Sequence, residues 1–343
     1  MKDLDLVTNL GERPRSPGEA QHNLRTFSLI AVLCASQCSP LAVKMYSARL
    51  RQAAAAKIVA AGGRVGYDSN VENDFARRPA WLRIVLGKDF YVPVDSVDLH
   101  SRSNPDSPPY DLLHHFPDIR SLRVFPTGEI TELNMEQISR LKKLEFLSLE
   151  AKRTSRAALG RLKAIPSLKA LRVDIDGLGD AELQELATLS QLTSLLITSK
   201  GNITDVGVAP LKNLTRLEYL VLGGTQITDA GVAHLAHLTR LKGLGLPDAT
   251  RVTDAAMPSL KGLSNLETLD VSWTQITNVG LQHLRGLPKL HHINVQGTKT
   301  TEKMARSICG PSPEDLESEH WQMHRKKRED GTKKQKNGEG GRH

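Results

Sequence analysis

Twelve histidines and three cysteines are the side chains of this 343-residue chain that could ligate a metal or act as nucleophiles. A zinc site needs three or four such ligands converging, usually at short spacings in sequence. Cys34 and Cys38 lie inside the one long apolar run, and Cys309 stands alone, so neither a disulfide framework nor a zinc pattern follows. A bacterial lipid-attachment motif wants a small residue before the cysteine, and Gln37 precedes Cys38. His234 and His237 are three apart near an expected helix end. His291 and His292 are adjacent; on a strand, adjacent side chains face opposite sides and cannot chelate together. His114 and His115 read the same way. No G-x-x-x-x-G-K-[ST] loop, G-x-S-x-G elbow, H-E-x-x-H or C-x-x-C is present. The expectation is a chain without catalytic residues, cofactor or metal, which works by binding.

The elements that would position a binding surface are written in a repeat. Triplets spaced apolar-x-x-apolar-x-apolar occur at Val94/Val97/Leu99, Ile119/Leu122/Val124, Leu144/Leu147/Leu149, Leu168/Leu171/Val173 and Leu192/Leu195/Ile197. They continue at Leu217/Leu220/Leu222, Leu241/Leu244/Leu246, Leu266/Leu269/Val271 and Leu290/Ile293/Val295. Their first members step by 25, 25, 24, 24, 25, 24, 25 and 24 residues. Alternate side chains of an extended strand face opposite sides, so Leu269 and Val271 point inward while Thr268, Asp270 and Ser272 point out. One such unit cannot bury its own apolar face, whereas stacked units bury each other's. Aromatics make up only 4% of the chain, which suits a core built by repeating one small unit.

The second half of each unit is equally regular. Ile203-Thr204-Asp205, Ile227-Thr228-Asp229, Val252-Thr253-Asp254 and Ile276-Thr277-Asn278 each precede a short apolar-periodic stretch. Thr followed by Asp or Asn there is a helix N-cap signal, because a side-chain oxygen accepts from first-turn amides that have no intrahelical partner. Each unit is thus strand, turn, capped helix and return loop, with Ile227, Val232 and Leu235 facing inward. Thr225, Thr274 and Thr298 are placed to satisfy backbone groups of the neighbouring turn.

Repeat solenoids bind on the exposed face of the strands. The outward residues expected to carry function are Arg123, Phe146, Arg172, Leu196, Tyr219, Val221, Asp270 and His292. Phe146, Leu196, Tyr219 and Val221 are expected to form an apolar strip suited to a protein partner. Gly243, Gly245 and Pro247 interrupt the face and are expected to leave it bare.

Gly224-Thr225-Gln226-Ile227-Thr228-Asp229-Ala230-Gly231-Val232-Ala233-His234-Leu235 resembles the TDAGL-type leucine-rich repeats abundant in bacterial, notably planctomycete, proteins. That repeat class is similar to the cysteine-containing repeats of F-box/LRR proteins. The resemblance runs from about Val94 to Ile308. It implies an α/β solenoid, a leucine-rich-repeat horseshoe with parallel strands on the concave face and short helices on the convex face. The first three units depart from the TDAG pattern and read as capping or diverged units. Two functions follow as expectations. One is a membrane-tethered protein-binding module; the other is a soluble adaptor of F-box/LRR type, for which no F-box-like arrangement precedes the repeats.

The flanks complete the organisation. Residues 1–23 are polar, with Gly and Pro, and read as disordered. Residues 24–46 hold the charge-free run Phe27–Val43, whose 17 residues stand at the bottom of the range of roughly 17–25 that spans a bilayer. A signal anchor, a cleaved signal peptide and a buried soluble helix all fit it, giving a membrane, secreted or cytoplasmic location. Residues 47–93 form a helical lead-in and N-terminal cap, with a helix near Lys44–Ala61, a short extended piece at Arg64–Asp68 and a short amphipathic helix at Pro79–Lys88. The repeats occupy 94–308. Of the net charge of +8, much sits after Trp321, in the tail 309–343, where eight basic residues, Arg325-Lys326-Lys327-Arg328 among them, face three acidic ones. The body therefore does not point to nucleic acid, and its expected partner is a protein.

Overall fold

In the computed structural model, the described residues are 40–77, 88–100, 109–125, 128–199 and 202–309. The tail after Cys309, the apolar run before Pro40 and the helix expected at Pro79–Lys88 all lie outside them, Lys88 excepted. Two compact units contain the described parts of 1–56 with 67–93 and of 57–66 with 94–343.

Helix α1 (Pro40–Ala60), most of which belongs to the first unit, begins with Pro at its first position, where a missing N–H costs nothing. Ala-rich sequence then carries it to Gly62, whose φ of 93° closes it. Arg51 donates to the Asp89 carbonyl at 2.9 Å, and Tyr67 donates to Asp89 Oδ1 at 2.9 Å. Lys88 pairs with Glu72 at 2.5 Å. Among the described residues no helix is long and apolar enough to cross a membrane.

The second unit is built on one sheet of ten strands in chain order, the nine from Val94 onward parallel to one another. They are β1 (Arg64–Tyr67), β2 (Val94–His100), β3 (Ser121–Phe125), β4 (Phe146–Ala151), β5 (Ala170–Ile175), β6 (Ser194–Thr198), β7 (Tyr219–Gly223), β8 (Gly243–Gly245), β9 (Thr268–Asp270) and β10 (His292–Asn294). The nine repeat triplets supply β2 to β10. The piece beginning at Arg64 adds a tenth strand at the leading edge, which the repeat period does not announce. Between the strands the chain returns through short α and 3-10 helices. This is an α/β solenoid.

The core is the sum of the triplets and the helix positions. Leu269 is 1% exposed, and Val271, Ile227, Val232 and Leu235 are 0% exposed. Ser272 is corrected from outward to buried, at 5% exposure. Thr274 and Thr298 donate to the carbonyls of Val271 and Val295 in their own repeat, at 2.6 and 2.7 Å, and not to the neighbouring turn. The buried Thr225 hydroxyl has no hydrogen-bond partner.

What locks repeat to repeat is the Thr-Asp pair. Thr204, Thr228, Thr253 and Thr277 each cap their own helix, accepting from the N–H two residues on. The residue after the cap, Asp180 after Gly179 and Asp205, Asp229 and Asp254 after their threonines, is turned to the next repeat. Asp180, Asp205, Asp229 and Asp254 accept both the backbone N–H and the hydroxyl of Thr204, Thr228, Thr253 and Thr277, at 2.6–2.8 Å. The TDAG glycine makes room for this. A Cβ on Gly207, Gly231 or Gly280 would lie 2.2–2.3 Å from the carboxylate oxygen of Asp180, Asp205 or Asp254. The repeat with Ala256 in that place, which also carries Pro258, winds as a 3-10 helix over Asp254–Gly262.

Candidate partner-binding surface

Strand register decides which outward residues stand together. One row across the sheet reads Ser121, Phe146, Ala170, Ser194, Tyr219, Gly243, Thr268 and His292. Two residues further along, a second row reads Asp98, Arg123, Ser148, Arg172, Leu196, Val221, Gly245, Asp270 and Asn294. All eight residues expected to carry function fall on these rows. Arg123, Arg172, Tyr219 and His292 are exposed; Phe146, Leu196, Val221 and Asp270 are half-buried.

The face has two halves of different chemistry. Over β2 to β5 it is charged. Arg123 stands 4.0 Å from Asp98 and 5.8 Å from the centre of the Phe146 ring, while Glu150 registers with Asp174. Over β6 to β10 Asp270 is the one fixed charge in the two rows, held by the N–H of Ser272 at 2.8 Å and the Asn294 amide at 3.1 Å.

The expected apolar strip is corrected to two separate patches. Leu196 and Val221 are register partners, with Tyr219 on the same strand as Val221. Phe146 is parted from Tyr219 by Ala170 and Ser194 of two intervening strands. Nor do the glycines of β8 leave the face bare. Gly243 and Gly245 are buried, because Tyr219 and Val221 lean over them; a Cβ there would come within 2.8 and 3.1 Å of those side chains.

Along the near edge runs a series of alternating charges, interrupted at Thr193. Arg120 lies 3.9 Å from Asp95, Lys169 2.7 Å from Glu145 and Lys242 2.7 Å from Glu218. The hydrogen bond from Lys169 holds the Glu145 carboxyl below its ordinary range, and that from Lys242 does the same for Glu218. These pairs are exposed and serve register more than stability.

The histidines among the described residues do not assemble a site. His114 and His115 are brought together rather than kept apart, their ring centres 3.9 Å apart on one 3-10 turn. Burial, with His114 beside it, lowers the pKa of His115. His291 and His292 are both solvent-accessible. Among the described residues no group of three His, Cys, Asp or Glu could hold a metal. A cavity of about 960 Å³ opens beyond β10, lined in part by Asn294, Gln296, Glu302, Arg306 and Cys309. Burial pushes the Cys309 thiol up, away from the reactive thiolate.

Two features escaped the sequence reading. One is the role of each Asp toward the following repeat. The other is Trp273, which is 53% exposed and has φ of 59°. Alignment of the repeats carries its signal, because Trp273 stands where Gly224 and Gly297 stand.

Residues 213–241 and 262–284 match a family described as Leucine Rich repeat. No curated protein matches the chain. Among solved structures, internalin C2 from Listeria monocytogenes is 22% identical, with 59% of this chain and 81% of that one covered and a TM-score of 0.43. Human 5T4 is 19% identical over 59% of this chain and 77% of that one, at a TM-score of 0.45. The Arabidopsis receptor kinase HAESA, solved with the peptide hormone IDA and the co-receptor SERK1, is 21% identical over 60% and 35%, at 0.44. Likenesses this distant add nothing to what the register shows. By its strand register and by the matched residues 213–241 and 262–284, the chain carries leucine-rich repeats and folds as a leucine-rich-repeat solenoid.

Proposed function

We propose that the solenoid is a non-enzymatic protein-interaction module that binds a protein partner on its strand face. The observation that supports this most is the outward face of β6 to β10. There the half-exposed Tyr219 stands with Leu196 and Val221 on a surface whose two rows hold a single fixed charge. Depletion of charge around aromatic and apolar anchors is what a desolvated protein interface needs. Stacked repeats offer this as a continuous surface.

The module is tethered to a membrane through Phe27–Val43. Helix α1 supports this reading, since Val43, Tyr46 and Leu50 lie on one helical face and are 61%, 66% and 36% exposed. Lys44, Arg49 and Arg51 flank them, as basic residues flank apolar faces at anionic lipid surfaces.

Two experiments test the two halves. In-cell crosslinking and capture is run on the full chain beside a Phe146/Tyr219/Asp270 surface variant. The strand-face reading expects a partner that the variant loses; identical catches from both would reject it. Alkaline extraction of membranes is run on the full chain and on one lacking residues 27–39. The tether expects the full chain in the pellet and the shortened one in the supernatant; both in the supernatant would reject it.

A further inference from the structure

The turn after each strand of the last repeats uses left-handed backbone. Register places Gly224, Asp248, Trp273 and Gly297 at equivalent positions, with φ of 67°, 60°, 59° and 71°. Glycine adopts this conformation freely and Asp tolerates it, but a bulky side chain there is an outlier. Trp273 is also half-exposed, so its burial does not account for it. Its indole packs on the next repeat, where a Cβ on Gly297 would come 2.4–2.9 Å from three ring atoms. The ring is therefore held against Gly297 while 53% of the residue stays exposed.

Two acidic residues adjoin Trp273 through Ser272. Asp248 is exposed, and its N–H donates to the Ser272 carbonyl at 3.0 Å, the peptide group that leads into Trp273. Asp270 accepts from the N–H of the same Ser272 at 2.8 Å and from Asn294 at 3.1 Å, which fixes the direction of its carboxylate. Neither Asp248 nor Asp270 forms an ion pair with a described residue, and no described cation stacks on Trp273. A half-exposed indole with two carboxylates that form no ion pair at adjoining positions is complementary to a cationic side chain, stacked on the ring and paired at its head.

We propose that Trp273, Asp248 and Asp270 form an anchor for an arginine or lysine side chain of a protein partner. The proposal rests on the strand-face reading above and narrows it, placing one basic residue of the partner at the β8–β9 turns.

The test is fluorescence anisotropy of the full-length chain with three labelled pentapeptides, Gly-Ser-X-Ser-Gly, where X is Arg, Gln or Glu. The Arg peptide is expected to bind in a saturable way, at least fivefold tighter than the Gln peptide, with no binding by the Glu peptide. Asp248→Asn with Asp270→Asn should weaken the Arg peptide fivefold or more, and Trp273→Gly should remove it. Trp273→Gly suits the left-handed backbone, so its melting midpoint should hold or rise, separating lost binding from lost folding. Equal binding of Arg and Gln peptides, or of wild type and the double Asn variant, would overturn the proposal. So would displacement of the Arg peptide by a neutral oligosaccharide such as cellohexaose at comparable concentration. Tyr219→Ala is measured alongside. A partner lost with Tyr219→Ala but indifferent to Trp273→Gly leaves the strand-face reading standing and rejects the anchor alone.

Discussion

The carboxylate of Asp205 accepts two hydrogen bonds from Thr228 of the next repeat, from its backbone N–H at 2.8 Å and its hydroxyl at 2.6 Å. Thr228 in turn caps its own helix by accepting from Ala230. One Thr-Asp pair thus fixes both the start of a helix and the stacking of that helix on its neighbour. Repetition of the pair from Asp180 to Thr277 makes the stack cooperative.

Asp205→Ala should lower stability by about 1.5–3 kcal/mol, the range for hydrogen bonds to a charged group. Urea unfolding followed by circular dichroism checks it. A midpoint equal to wild type would show that the ladder is ornamental.

Gly231→Ala should destabilise, although Ala is favoured over Gly in a helix by about 1 kcal/mol. The added Cβ would stand 2.2 Å from Asp205 Oδ1, which cannot move without releasing Thr228. In the Asp205→Ala background the same change should become neutral or stabilising. The double-mutant cycle reads that reversal directly, and additive effects would contradict it.

Leu269→Asp should unfold its neighbouring repeats, since Leu269 is 1% exposed and an unpaired carboxylate there costs upwards of about 3 kcal/mol. Tyr219→Ala, at a side chain 47% exposed, should leave the thermal melt nearly unaltered. A reversed order of these two effects would invert the assignment of faces.

Glu185 is held below its ordinary carboxyl value of 4.5 first by a hydrogen bond from Lys163, then by one from Arg156. Its folded value is below its unfolded one. Its stabilising contribution is therefore present above about pH 4.5 and disappears as pH falls through the lower, folded value. A series of melts from pH 7 to pH 3 should show a steeper acid loss for wild type than for Glu185→Gln. Parallel curves would mean that the Lys163–Glu185–Arg156 contacts do not persist in solution.

The strands were legible because their spacing is periodic and their inward residues are large and apolar, as with Leu220, Leu244 and Leu269. Strand β1 was legible as a short extended piece but not as a member of the sheet, because a single unrepeated Arg-Val-Gly-Tyr has no period to betray its pairing. The candidate face was legible as positions but not as chemistry. Alternation places Phe146 and Tyr219 outward equally well, yet only register shows two strands between them. The Asp ladder was half legible: a cap reads from its own helix, whereas the partner of Asp205 lies 23 residues away. Ser272 was misplaced because alternation lapses where the chain leaves the strand and turns into the left-handed Trp273.

The most direct test of a strand-face binding module is site-specific photocrosslinking in cells. The full-length chain carries p-benzoylphenylalanine either at Val221, on the strand face, or at Ala233, on the exposed side of the helix Asp229–Leu235. The account predicts a discrete adduct from position 221 that is absent from position 233 and disappears in the Phe146/Tyr219/Asp270 variant. An adduct formed from position 233 and not from 221, or one indifferent to those three substitutions, would contradict it.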